Sequence, residues 1–171
     1  SFRTIGKIGL ENGTSQFKVP LNAFIEKVDK ELLKKISLSL SKTDCIFLYG
    51  ELGSGKTTFV RSLVHQLQKK NRIKKTEVVS PTFSLLHEYE IKSLKVMHYD
   101  LYRLKKSKEL EKLGIFQEND NVITIIEWPH IIKKTIANRL EITFYHQEEQ
   151  ESRKLKIKGY GKWKKFKLNA I

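Results

Sequence analysis

The chain has 171 residues, of which 39% are hydrophobic, and its 33 Lys and Arg against 19 Asp and Glu give a formal net charge of +14. This length and apolar content indicate one globular core and exclude a wholly disordered chain, and no apolar run reaches the roughly 18 residues of a membrane span. The single cysteine, Cys45, excludes an internal disulfide and a cysteine-based metal site. Its position in a predicted buried strand favours an inert core residue, and these features together are typical of a cytoplasmic protein.

We expect a single domain over residues 1–171, with residues 1–15 as an N-terminal extension and residues 153–171 as a basic C-terminal strand or tail. The first residues, Ser1-Phe2-Arg3-Thr4, contain neither an initiator Met nor an apolar signal core, and we interpret them as a processed end. No repeat or low-complexity linker divides the sequence.

In chain order, the apolar patterns predict a short strand followed by a helix that begins at Pro20, then a buried strand and a helix on either side of a glycine-rich turn. A β-hairpin turning at 92–93 and a short helix closed by Gly114 come next. The remaining predicted elements are a buried strand at 122–126, a short helix after Pro129, and strands at 140–144, 155–157 and 163–168. Because parallel crossovers and a hairpin both occur, the sequence predicts an α/β domain of three layers, with a mixed parallel and antiparallel central sheet flanked by helices.

The glycine-rich turn carries the most specific motif. Residues 50–57 fit the pattern G-x-x-x-x-G-K-[ST] and lie between the predicted strand and helix that such a loop requires. Gly50, Gly53 and Gly55 allow backbone angles that let successive N–H groups surround a phosphate. Lys56 supplies a positive charge for the outer phosphates, and the Thr57 hydroxyl is placed for Mg²⁺. The pattern predicts a P-loop NTPase-like domain that binds a nucleoside triphosphate.

Two carboxylates end predicted strands and are candidates to complete this site. Glu127 follows the apolar run 122–126, where P-loop proteins carry an acid that orients the metal, and Asp100 follows the strand 95–99. The segment Ser80-Pro81-Thr82-Phe83 could form a mobile loop that senses the terminal phosphate through Thr82. Residue patterns alone leave open that each of these groups is a solvated strand end or turn.

Four motifs in order resemble one known family. They are the glycine-rich loop with Thr58-Phe59-Val60-Arg61, then S-P-T-F at 80–83, H-Y-D-L-Y-R-L at 98–104, and I-E-W-P at 126–129. Together they resemble the bacterial TsaE family, formerly YjeE, over roughly residues 16–160. Glu51 and Ser54 stand where Asp and Ala are more usual in the family, and neither change removes a phosphate contact.

The resemblance implies an ATPase that acts in tRNA threonylcarbamoyladenosine biosynthesis with the partner proteins TsaD and TsaB, and whose ATP turnover resets that complex between cycles. It implies that Thr57 and Glu127 bind Mg²⁺, that Asp100 is the catalytic acid or positions water, and that Thr82 and Trp128 lie beside the nucleotide. It also implies phosphate contacts from Gly53, Ser54, Gly55, Lys56, Thr57 and Thr58.

Three other functions compete with this interpretation. A small-molecule or nucleoside kinase shares the loop, but the six Arg show no cluster that could form a lid. A GTPase lacks its N-K-x-D signature here. A nucleotide-gated tRNA-binding module would use the excess charge, which is concentrated at residues 69–75 and 153–167, although a Lys-rich composition also suits an AT-rich genome.

Overall fold

The computed structural model of the chain describes residues 8–11, 14–20, 28–117, 121–146 and 152–165, with side chains described in 30–117, 121–145 and 155–165. The predicted α/β fold with a mixed sheet is confirmed. Eight strands form one sheet in the order β1-β2-β8-β7-β3-β6-β5-β4. They are β1 (Ile8–Glu11), β2 (Thr14–Pro20), β3 (Cys45–Tyr49), β4 (Leu86–Ile91), β5 (Leu94–Asp100), β6 (Val122–Glu127), β7 (Arg139–His146) and β8 (Ser152–Tyr160).

The centre of the sheet is parallel and its edges are antiparallel. Strand β3 pairs in parallel with β6 on one side and β7 on the other, and β5 pairs in parallel with β6. The β4–β5 hairpin and the β2–β8–β7 pairs are antiparallel. Because β3, β5 and β6 run the same way, their carboxyl ends meet at one edge of the sheet, where ligands bind in open α/β folds.

Helices cover the two faces. Helix α1 (Val28–Ser39) and helix α2 (Lys56–Lys70) contact each other, and their apolar residues join the main core cluster with the inner face of the sheet. On the other face a smaller cluster around Phe47, Tyr99 and Ile126 packs against Leu110 and other residues of and around helix α3 (Lys108–Leu113). Three layers result, because each face of the central strands is apolar.

Several predicted boundaries differ from the observed ones. The prediction that the first helix begins at Pro20 is wrong, because Pro20 is the last residue of β2 and pairs with Ser152 of β8; residues 21–27 lie outside the described residues. The alternation of apolar and polar residues over 83–91 predicts a strand that begins at Phe83, whereas β4 begins at Leu86, after Leu85 with a φ of 67°. The prediction of a strand at 163–168 is wrong for its described part, because residues Gly161–Lys165 form a 3₁₀ helix.

The physical reason for that last error is the burial of Trp163. Gly161 has a φ of 62°, which turns the chain at the end of β8, and Trp163 then packs into the main core with 2% of its surface exposed. Burial of a large aromatic side chain stabilises the fold more than pairing the same residues as one more exposed edge strand would. None of the helices in the described part of the chain has the length and apolar character needed to cross a bilayer.

Candidate nucleotide and metal site

The glycine-rich loop connects β3 to α2 in the way the sequence predicts. Gly50, Gly53 and Gly55 have φ values of 146°, 73° and 102°, all positive, and the Ser54 N–H closes the turn on the Glu51 carbonyl at 3.1 Å. At Gly50 a Cβ atom would also come within 2.6 Å of the Ser54 hydroxyl, so only glycine fits there.

Helix α2 begins directly from this loop with its first N–H groups available for a ligand. Gly55 is the N-cap residue, no side chain caps the helix, and the first turn contains no acid. An uncapped helix start leaves backbone donors and the positive end of the helix dipole directed at the loop, and an anion satisfies both. Thr58 lies in this first turn, half-buried.

Lys56 lies folded over the loop. Its Nζ donates to the carbonyl oxygens of Gly50 at 2.6 Å and Glu51 at 2.8 Å, and it lies 4.5 Å from the centre of the Trp128 ring. Burial lowers the pKa of the Lys56 ammonium below its usual value, while the nearby carboxylates of Glu127 and Asp100 favour the charged form. Lys56, at the start of helix α2, therefore interacts electrostatically with both acids, which end strands β5 and β6.

Glu127 ends β6 with its carboxylate buried, 2% exposed, against the start of α2. The Thr57 hydroxyl donates to Glu127 Oε1 at 2.9 Å, across 70 residues of sequence. The imidazole of His98 donates from Nε2 to Oε2 at 2.9 Å, and His98 itself is fully buried. Two hydrogen-bond donors therefore hold the carboxylate in place, and Thr57 and Glu127 present oxygen atoms side by side.

Thr57 and Glu127 together supply part of a ligand set for Mg²⁺. Mg²⁺ prefers oxygen ligands and usually takes one or two from the protein, the others coming from phosphates and water. Among the described residues, no group of three or more His, Cys, Asp or Glu side chains could hold a metal without help. The residues present thus fit an ion that arrives with a phosphate ligand, and they fit a dedicated protein-only metal site poorly.

Asp100 lies beside Glu127, because the two end neighbouring strands in register. Its Oδ2 accepts hydrogen bonds from the hydroxyls of Thr82 at 3.0 Å and Ser80 at 3.3 Å, and its Oδ1 accepts from the Tyr102 N–H at 2.9 Å. The segment 80–83 is thus attached to Asp100 through its hydroxyl groups.

Trp128 begins the segment after β6 with a strained backbone. Its φ of 58° and ψ of 58° are unusual for a bulky residue, and its ring lies 4.9 Å from Tyr102 and 5.7 Å from His130. The rings of Trp128 and His130, with those of Tyr49 and Tyr145, border a groove of about 560 Å³ that begins at Gly50 and Glu51. The groove has the size of a small-ligand site beside the loop.

The structure brings the candidate residues of the sequence to one sheet edge and adds His98, Ser80 and Tyr102, which the sequence analysis left without a role. The sequence contains a pattern that could have identified His98. It lies two residues before the strand-end acid Asp100, and side chains two residues apart on a strand point to the same face. Arg61 donates from Nε to the Val78 carbonyl at 2.9 Å and is structural, whereas Arg103 is exposed with its guanidinium 5.2 Å from the Phe83 ring.

Fold and site define a mixed α/β domain of the class that places a glycine-rich strand-to-helix loop against a buried strand-end carboxylate. A model of the family described as threonylcarbamoyl adenosine biosynthesis protein TsaE matches residues 25–155, so the chain belongs to the TsaE family. The family resemblance noted from the four motifs is confirmed.

Individual relatives agree with this assignment. The chain is 39% identical over 112 residues to a Rickettsia felis protein and 30% identical over 127 residues to a Bacillus subtilis protein, each named tRNA threonylcarbamoyladenosine biosynthesis protein TsaE. These matches cover 66% and 72% of this chain, and 63% and 75% of the relatives, so less than two thirds of the Rickettsia protein is spanned. A crystal structure of Bacillus subtilis YdiB superposes with a TM-score of 0.60 over 87% of both chains at 22% identity, which shows the fold alone.

Proposed function

We propose that this chain is a Mg²⁺-dependent ATPase of the cytoplasmic machinery that makes threonylcarbamoyladenosine next to the tRNA anticodon, and that it acts with the partner proteins TsaD and TsaB. In this proposal its ATP turnover resets the partner complex between cycles. The observation that carries the proposal is the contact between Thr57 and Glu127 beside Lys56, at the mouth of an uncapped glycine-rich loop.

The loop and Lys56 bind and orient the phosphates in this scheme. In the structure the carbonyl oxygens of Gly50 and Glu51 accept hydrogen bonds from Lys56. When a nucleotide binds, phosphate oxygens would replace these carbonyls as the acceptors. That exchange is favourable because an ammonium group binds a charged oxygen more strongly than a neutral carbonyl. The N–H groups of residues 53–58 surround the same anion.

Thr57 and Glu127 hold the metal, with His98 keeping the Glu127 carboxylate in its orientation. Bound Mg²⁺ supplies positive charge that stabilises the transferring phosphoryl group. Because Glu127 is buried and hydrogen-bonded on both oxygens, it needs little rearrangement to do this.

Asp100 positions the attacking water, and the segment 80–83 controls when it can do so. Thr82 and Ser80 both donate to the carboxylate oxygen Oδ2, which leaves that oxygen occupied by the protein's own hydroxyls. We therefore expect slow hydrolysis by the isolated chain and faster hydrolysis when partner proteins draw the segment away from Asp100.

The direct test measures phosphate release from ATP by the isolated chain and by the chain mixed with TsaD and TsaB. We expect the partners to accelerate release severalfold or more, and the variants Lys56→Ala and Glu127→Gln to lose roughly 10²-fold of it. Glu127→Gln should still bind ATP, which fluorescent nucleotide titration checks. A fast isolated chain would contradict partner dependence, and full activity of Glu127→Gln would remove the metal assignment.

The same assay separates the proposal from a kinase. Phosphate release from ATP in the absence of any acceptor identifies a hydrolase, whereas a kinase would transfer phosphate only when an acceptor is added. The described arginines give no lid for a kinase. Arg61 and Arg139 donate to backbone carbonyls, Arg103 packs on Phe83, and Arg72 follows the end of α2 that is far from the glycine-rich loop.

A further inference from the structure

Strands β7 and β8 have one face in the main core and one face outside it. Leu140, Ile142 and Phe144 of β7 lie in that core with Leu155 and Ile157 of β8. Side chains alternate along a strand, so the residues between them share the opposite face. Across the two strands these residues are paired, Arg139 with Tyr160, Glu141 with Lys158 and Thr143 with Lys156.

Among the described residues, the opposite face of β7 and β8 is covered only in part: Arg139 donates to the Ile136 carbonyl at 2.9 Å and is partly buried, as are Lys156 and Tyr160. The smaller apolar cluster on that side of the sheet draws its members from β3 to β6 and from segments 101–116 and 131–136, and none of its described members comes from β7 or β8. We call the residues Arg139, Tyr145, Lys156, Lys158 and Tyr160 the open face. Tyr145 is 40% exposed and Lys158 is exposed.

The open face combines positive charge with aromatic rings. The Arg139 guanidinium carbon lies 3.5 Å from the centre of the Tyr160 ring, and Lys158 Nζ lies 5.2 Å from it. Glu141 is the one acid among the described side chains that face this way on β7 and β8, and Arg139 already pairs with it at 2.9 Å. With Arg139, Lys156 and Lys158 against one acid, the described side chains of this face carry a net positive charge.

The face also leads toward the candidate nucleotide site. Tyr145 and its neighbour Thr143 line the groove that begins at the glycine-rich loop, together with Tyr49. Burial, and the negative charge of Glu141, raise the pKa of the Tyr49 phenol to about 12, so it stays neutral and does not repel an anion. A ligand on the open face would thus lie within reach of the loop.

We propose that the open face binds a single-stranded segment of RNA. Lys156 and Lys158 lie two residues apart on β8, so their Cα atoms are about 6.8 Å apart on one face and present two positive charges in line to the phosphates of an extended strand. The exposed Tyr145 offers a surface on which an unstacked base can stack. A protein of net charge +14 attracts such a polyanion before contact. The proposal does not depend on ATP hydrolysis, since none of the open-face residues belongs to the catalytic set.

The other basic residues fit this role less well. In the 69–75 segment, Lys70 donates to the Ser37 carbonyl and Ile73 packs against the core, and no aromatic residue accompanies them. At the end of β8, Lys162 pairs with Asp44 and donates to Ser41 Oγ at 2.8 Å. These lysines serve the fold, whereas Lys156 and Lys158 have no such contact in the described residues.

The test uses a fluorescein-labelled single-stranded RNA of about 12 nucleotides and measures binding by anisotropy at several salt concentrations. The double variant Lys156→Glu/Lys158→Glu should bind at least about tenfold more weakly, and its salt slope should fall by about 1.4, or 0.7 for each lost phosphate contact. The matched control Lys74→Glu/Lys75→Glu makes the same change of charge at another exposed site and should lose about threefold or less.

A second variant separates stacking from charge. Tyr145→Ala should weaken binding by about fivefold or more while leaving the salt slope unchanged, because it removes a stacking surface and no charge. If thermal unfolding shows that the Glu double variant is misfolded, Lys156→Gln/Lys158→Gln replaces it, with the same expected order of effects.

Several results would overturn the proposal. Equal losses in the two double variants would indicate unspecific attraction by total charge, and equal affinity for double-stranded RNA would contradict single-strand recognition. If the Lys156 and Lys158 double variant kept its RNA binding but no longer bound a partner protein, the open face would be a protein-docking surface. Phosphate release measured in the same variants keeps this outcome separate from the ATPase proposal, because either property can fail while the other stays.

Discussion

Glu127 is a buried acid whose surroundings explain its role better than its place in the sequence does. Thr57 and His98 donate to different oxygens of its carboxylate, so both oxygens are fixed in space. His98 has no hydrogen-bond partner for Nδ1 among the described residues, and a buried polar atom left so is costly. His98 lowers the stability of the fold through this unpaired atom and contacts Glu127, a proposed metal ligand. We therefore infer that His98 orients the Glu127 carboxylate.

Replacement of His98 should therefore act on metal affinity. His98→Leu removes the donor to Glu127 and should raise the Mg²⁺ concentration needed for half-maximal binding of a fluorescent ATP analogue by about tenfold. His98→Gln retains a donor at a similar reach and should stay within about threefold. Identical Mg²⁺ dependence in the Leu and Gln variants, with both folded, would show that His98 only fills space.

At the scale of elements, the turn after β8 decides how the C-terminal part of the described chain packs. The 3₁₀ helix Gly161–Lys165 returns under the sheet, and the Trp163 backbone lies directly against Gly159 on β8. A Cβ atom at residue 159 would collide with the Trp163 carbonyl. Glycine is needed here for space, since close approach of two backbone segments leaves no room for a side chain.

We therefore expect Gly159→Ala to lower the free energy of unfolding by about 2 kcal/mol, the usual effect of overpacking a well-packed site. Lys158→Ala, at the neighbouring exposed position, is the matched control and should change it by less than about 0.5 kcal/mol. Urea denaturation of the two variants and the wild type measures both values. Equal stability of Gly159→Ala and wild type would mean that the 3₁₀ helix can shift without loss.

At the scale of the whole molecule, Cys45 reports how firmly the central strand is buried. It lies in the middle of the sheet with 1% of its surface exposed, and burial raises the pKa of its thiol well above the usual value. The unfolded chain releases the thiol proton near pH 8.5, while the folded chain keeps it. Folding is therefore favoured fully below that pH and progressively less above it.

This gives a pH-dependent prediction with a defined sign. From about pH 8.5 upward, the stability difference between wild type and Cys45→Ala should shift against the wild type by up to about 1.4 kcal/mol per pH unit. Below about pH 8 the difference should stay constant. Urea denaturation at a series of pH values measures it, and a pH-independent difference would show that the thiol titrates normally in the fold.

The sequence by itself determined the strand, glycine-rich loop and helix around Lys56, the hairpin, the short helix closed by Gly114 and the mixed character of the sheet. These follow from local rules, because glycine angles, alternation and helical spacing act over a few neighbouring residues. It also determined the family, through motifs at 50–61, 80–83, 98–104 and 126–129.

Only the tertiary structure decided which distant groups meet. The contact of Thr57 with Glu127 spans 70 residues and that of His98 with Glu127 spans 29, and both depend on the order of β3, β6 and β5 in the sheet. The fold of the chain after β8, and the burial of Lys156 in part and exposure of Lys158, were likewise undetermined, since local propensity cannot say which face of a strand another element will cover. Pairing of strands far apart in sequence is fixed by the packing of the whole core, and for that reason the site was predictable as a set of residues but not as a geometry.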